Sequence, residues 1–140
     1  MSGPALKDVD SHTAIHEAAL NEAIELTTML DNLYRDNQQE KALELAYVLV
    51  EQWETRTLAH ADSEEEGLYK DLVEENPEIN DDIVALTRDH DLLRLIVKAI
   101  KQELAENRMN DGVIQRFQSL IIVDKLHNVK EMDVLPDHEH

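Results

Sequence analysis

No cysteine occurs in the 140 residues of this chain. That excludes disulfides, thiolate metal sites and iron–sulfur clusters, although it does not settle the compartment. Glycine and proline number only three each. So few turn residues, with so much Ala, Leu, Glu and Asp, point to an all-α protein. Basic side chains are also scarce: 13 Lys and Arg stand against 31 Asp and Glu, for a formal net charge of −18. A field of that sign repels nucleic acid and anionic membrane faces, so neither is expected as a partner. It favours solubility and concentrates cations near the surface. No N-terminal stretch has the basic start and apolar middle of a signal peptide, and no apolar run approaches the ~20 residues of a membrane span. A soluble, cytoplasmic protein of one domain is the expectation.

Apolar residues make up 42% of the chain, and their spacing is helical. Residues 1–10, with Gly3 and Pro4, read as an N-terminal arm. From about Ser11, the residues Ala19, Ala23, Leu26, Leu30 and Leu33 recur at three and four, one buried stripe. Extended backwards, it passes through His16 and then His12. Residues 34–38 read as a turn. A second stripe from Gln39 runs through Leu43, Ala46, Leu49, Val50 and Trp53 to Thr57, His60 and Glu64. It fades after Leu72 and Val73, and Asn76-Pro77 stops it, because the residue before proline is pushed out of the helical region. Asn80 or Asp81 caps a third helix lined by Ile83, Leu86, His90, Leu93, Val97, Ile100 and Leu104. Asn110-Asp111-Gly112 signals a turn. A fourth helix carries Phe117, Leu120, Asp124, His127 and Glu131, and Pro136 ends it before a polar tail at 137–140. Four helices with short connections predict an up-down-up-down four-helix bundle over residues 11–136.

Two phrases stand out. His127 and Glu131 are four residues apart, one turn from each other on a helical face shared with Phe117, Leu120 and Leu135. His60 and Glu64 repeat the spacing. Helices one and three carry histidines near their N-terminal ends, and helices two and four carry His-x-x-x-Glu near their C-terminal ends, as in a distant internal duplication. An antiparallel bundle brings those four ends to one level, with His16, His60, His90 and His127 beside Glu64 and Glu131. Two buried glutamates in one layer need counter-charge. Two iron or manganese ions at a bridged separation of ~3.5–4 Å would supply it. Taken singly, a buried histidine is more often a hydrogen-bonded core residue, and an i, i+4 His–Glu pair more often a surface contact. Ferritin-like sites use Glu-x-x-His, which is missing here, and so is the His-Glu-x-x-His of zinc proteases.

This set of residues resembles the hemerythrin-like family of HHE cation-binding domains, from about Val9 to Asp137. The resemblance rests on the core-facing histidines of helices one and three, on His60 with Glu64 and Glu65 before Leu68-Tyr69, and on His127 with Glu131 before Val134-Leu135-Pro136. It implies a four-helix bundle holding two non-haem iron ions. By the same resemblance His60 and His127 are terminal ligands, Glu64 and Glu131 bridge, an oxo or hydroxo group is the third bridge, and His90 is the ligand of helix three. The helix-one ligand is His16 or His12, or both. In the family's oxygen carriers helix three has a second histidine four residues on, where this chain has Arg94, and the last carboxylate is an aspartate five residues after its histidine. Glu131 at four is the spacing of the repair and sensor branches. Three functions stay open: binding, storing or sensing oxygen, nitric oxide or peroxide, with a redox or signalling protein as partner; redox or iron-centre repair chemistry, including iron donation; and a metal-free interaction module. Trp53 and Tyr47 read as packing, Tyr69 as packing with an approach to the site, five residues past Glu64, as the alternative, Glu65 as a reserve carboxylate facing the bundle edge, and Arg94 with Asp124 as a conjectural pair. His138 and His140 belong to the tail.

Overall fold

Pro4 opens the first helix, where a missing N–H costs nothing. The computed structural model describes the backbone of residues 4–135 and the side chains of residues 13–135. Within those limits helix α1 runs Pro4–Arg35, so its first turns occupy part of the segment read as an arm. It stops at Asn37, which sits in the left-handed region with φ 60°. The Asn37 N–H bonds the Tyr34 carbonyl and the Gln38 N–H bonds that of Leu33, the paired cap that satisfies the last helical carbonyls.

The second stripe is not one regular helix. It comprises α2 (Gln39–Gln52), a π-helical turn (Trp53–Leu58), α3 (Ala59–Glu66) and α4 (Leu68–Glu75). The inward residues Leu49, Trp53, Thr57 and Ala61, all buried, explain the π turn. Each step of four residues drifts about 40° round a regular α-helix. A wider turn absorbs the drift and keeps both flanks facing inward. Gly67, at φ −115° and ψ −85°, separates α3 from α4. Asn76 ends α4, its side chain accepting the Glu78 N–H over a 3-10 turn at Pro77–Ile79. Helix α5 (Asn80–Ala105) closes on Asn107, again left-handed at φ 58°. Helix α6 (Asp111–Val134) is capped by the Asn110 side chain, which accepts the Val113 N–H at 3.1 Å.

The α1, α2–α4, α5 and α6 strokes form an all-helical bundle, with no strand among the described residues. α1 packs on α2 and α6, and α5 packs on α6 and α2. Two apolar clusters fill the interior. The larger includes Ala23, Leu30, Leu49, Trp53, Leu93, Leu104, Phe117 and Leu120. The smaller comprises Leu68, Tyr69, Leu72, Ile83, Leu86 and Leu135. Burying a side chain such as Leu or Phe is worth about 1.5–3 kcal/mol each. Between the clusters lies a layer that is buried and polar. Along α5, His90 falls between Leu86 and Leu93; along α6, His127 and Glu131 fall between Leu120 and Leu135; along the second stroke, Glu64 falls between Trp53 and Leu68. The layer near these helix ends is therefore roofed by the smaller cluster.

Candidate metal centre

Each helical stroke delivers its polar residues to this layer by the periodicity that delivers its leucines to the core. His16 follows the stripe of Ala19 and Ala23, and it is 6% exposed. His90 is 1% exposed, His127 and Glu64 are 0% exposed, and Glu131 is 5% exposed. His60 is half-buried, its ring edge-on to that of His16 with centroids 5.2 Å apart. His12 lies outside the described side chains, and His138 and His140 outside the described residues.

The two glutamates each face both ways. Glu64 Oε2 lies 3.3 Å from His16 Nε2, and its Oε1 lies 3.5 Å from His90 Nε2. Glu131 Oε1 lies 3.7 Å from His16 Nε2, and its Oε2 lies 3.3 Å from His127 Nε2. His90 Nε2 and His127 Nε2 are 3.1 Å apart. Two donor groups result, Glu64–His90–His127–Glu131 and His16–His60–Glu64, with the donor atoms of each within 4.8 Å of one another. Donors about 2.0–2.2 Å from a shared first-row cation stand ~3–4 Å apart, so these spacings fit ligation. Imidazole with carboxylate is a donor set suited to iron or manganese.

Groups outside the donor set orient it. His90 Nδ1 lies 2.7 Å from Glu65 Oε2, and His127 Nδ1 lies 3.0 Å from Asp89 Oδ2. When each Nδ1–H donates to its carboxylate, the Nε2 lone pair is left facing inward, the arrangement that metal-binding histidines use. Arg94 donates to Glu65, Asp62 and Asp91, which anchors Glu65. The conjectured Arg94–Asp124 pair does not form, because the guanidinium is drawn to those three acidic side chains at the bundle edge. Tyr69 O–H donates to Glu131 Oε2, and its ring stacks on His90 with centroids 5.7 Å apart. Glu65 and Tyr69 thus bear on the site more directly than edge and packing roles imply. Asp89 was missed outright. Its one sequence signal is its place beside His90, and adjacency does not show which way a side chain turns.

The titratable groups of this layer shift one another. Burial pulls His16 down, but its bond to Glu64 and the charges of Glu64, Glu131 and Asp124 outweigh burial and push it up to about 9. Burial likewise lowers His127, against a stronger upward pull from Glu131 and Asp89. Burial lowers His90, and the neighbouring charge of His127 lowers it further. Burial raises the Tyr69 phenol, and the charges of Glu64 and Glu131 add to it, so it stays protonated. Burial also lifts Asp124 to about 6, against His16 and His127 and with Glu131 and Glu64. Neither oxygen of Asp124 has a hydrogen-bond partner among the described residues. Several buried carboxylates sharing one layer carry negative charge that a bound cation would offset.

The fold and this layer define a class: a helical bundle whose interior brings together histidines and carboxylates that could hold a metal ion. The match to a family model is specific. Residues 6–136 match the Hemerythrin HHE cation binding domain, and the chain belongs to that family. No curated protein and no solved structure is matched by the chain. Among the described residues, no helix is long and apolar enough to cross a membrane.

Proposed function

We propose that this protein holds two non-haem iron ions in the layer between its apolar clusters and uses them to bind oxygen, nitric oxide or peroxide. The observation that carries the reading is the two-sided placement of Glu64 and Glu131, each with one oxygen towards His16 and the other towards His90 or His127. His90 and His127 would serve one ion, His16 and His60 the other, and both glutamates would bridge. His16 is favoured over His12 as the helix-one ligand because it is buried against Glu64. Ferrous iron in such a site supplies direct coordination and electron transfer to a small ligand. The chain's own residues do the rest. Glu65 and Asp89 hold the imidazoles, Tyr69 restrains Glu131, and the roof of Leu68, Leu72, Leu86 and Leu135 excludes bulk water.

A second reading, redox chemistry on peroxide or nitric oxide, is favoured by one feature. The Tyr69 hydroxyl donates a hydrogen bond to Glu131, which puts an O–H donor beside the proposed ions, the kind of group that steadies negative charge as peroxide or nitric oxide is reduced.

Anaerobic reconstitution with ferrous iron tests the first statement. Close to two irons per chain are expected, and Glu64→Ala and Glu131→Ala are each expected to abolish the coupled two-iron absorption spectrum while helicity persists. A wild-type chain that takes up no iron and gains no stability from it would defeat the reading. Mixing the reduced protein with oxygen then separates the functions: a reversible spectral change means binding, whereas immediate oxidation with peroxide turnover means redox chemistry.

A further inference from the structure

Asp124 has no part in the ligand set just proposed, yet it is 1% exposed and neither of its oxygens accepts a hydrogen bond among the described residues. Native proteins rarely bury a polar group in that condition, and a carboxylate least of all. Asp124 caps no helix and clamps no neighbour. Arg94, the cation that might have met it, is held by Asp62, Glu65 and Asp91. Its position is set by the same face of α6 that carries the site: Asp124, His127 and Glu131 follow at intervals of three and four, and all are buried. One turn further towards the main core comes Leu120. The charges acting on Asp124 are those of His16, His127, Glu131 and Glu64. Neutralisation must therefore come from the centre itself, where three carboxylates share one layer.

We infer that Asp124 is a third carboxylate of the metal centre, set between the donor groups and the main core so that cations held there meet its charge. The inference rests on the di-metal reading above. Asp124 belongs to neither donor group, so it acts across a gap on the charge of the centre and replaces no ligand. A negative charge fixed beside the ions holds them more tightly and favours the higher-charged state of each. In the metal-free chain the same charge is a burden.

The test uses the full-length protein with Asp124→Asn and Asp124→Leu, titrated with ferrous iron under nitrogen against a competing chelator. Affinity for at least one of the two ions is expected to fall about 10–100-fold in both variants. Without metal, both variants are expected to unfold at a higher temperature than wild type. If the wild type binds no iron, the di-metal reading falls and this one with it. If the wild type binds two irons and Asp124→Asn binds them with unchanged affinity, the role of Asp124 alone is overturned. Lower stability of both metal-free variants overturns it too, because the carboxylate would then have a partner without the ions.

Discussion

At the scale of single residues, the layer holds two groups whose pKa values move in ways that can be read in the metal-free protein. Asp124 rises from 3.8 to about 6 and His16 from 6.5 to about 9. Both folded values lie above the unfolded ones, so in both cases the folded chain binds the proton more tightly. The contribution of Asp124 to stability is fully present below about pH 4 and is lost as pH rises through about 6. That of His16 is fully present below about pH 6.5 and is lost as pH rises through about 9. Denaturant midpoints of the chelated protein are therefore expected to fall across both windows. His16→Gln should flatten the upper fall and Asp124→Asn the lower. A chelated protein whose stability climbs between pH 7 and 9 would contradict the placement of His16 beside Glu64 and Glu131.

At the scale of elements, the π turn at Trp53–Leu58 decides how the second stroke presents its residues. The inward positions 49, 53, 57 and 61 are spaced four apart, one residue more than an α-helical stripe would use across that span. Deleting Thr55, whose exposed hydroxyl bonds the Glu51 carbonyl, should restore a spacing of four, three and four without turning either flank. We expect this deletion to keep helicity and iron uptake. Deleting Glu44 from the regular part of α2 should rotate everything after it by about 100° and abolish uptake. Iron stoichiometry and circular dichroism of the two deletions check this. Loss of uptake on deleting Thr55 would mean that the π turn itself places His60.

At the scale of the whole molecule, charge and burial act together. A net −18 destabilises the compact state by self-repulsion, and the polar layer adds buried carboxylates to it. Cations held between the apolar clusters would offset both, and the proposed iron, at 100 times its dissociation constant, would add about 2.7 kcal/mol per site. Chelation is expected to lower the unfolding temperature. Added salt should raise that of the metal-free form more than that of the loaded form, since at 0.15 M the Debye length falls to about 8 Å and exposed acids repel less. Calorimetry of the two forms at low and physiological ionic strength measures the difference. Equal salt responses would show that the bound ions leave the charge balance of the fold untouched.

The helical class, the number of strokes and the inward face of each were legible in the chain itself, because a stripe of apolar residues at three and four has one way to be buried. His16, Glu64, His90, His127 and Glu131 lie on those stripes, so the sequence by itself determined that they point inward. It did not determine what they meet. The turn at Asn37 and the end of α5 at Asn107 use left-handed asparagines where glycine is the usual signal, and the π turn left only an extra residue in the stripe. Asp89, Glu65 and Tyr69 stand off the stripes or read as packing. Their roles depend on which side chain of a neighbouring helix comes within hydrogen-bond reach, a matter of distances between helices that no single helix encodes. Asp124 was visible on its stripe, but its lack of a partner was not. Only the packed bundle showed Arg94 drawn outward to Asp62, Glu65 and Asp91, which leaves both oxygens of Asp124 without a hydrogen-bond partner among the described residues.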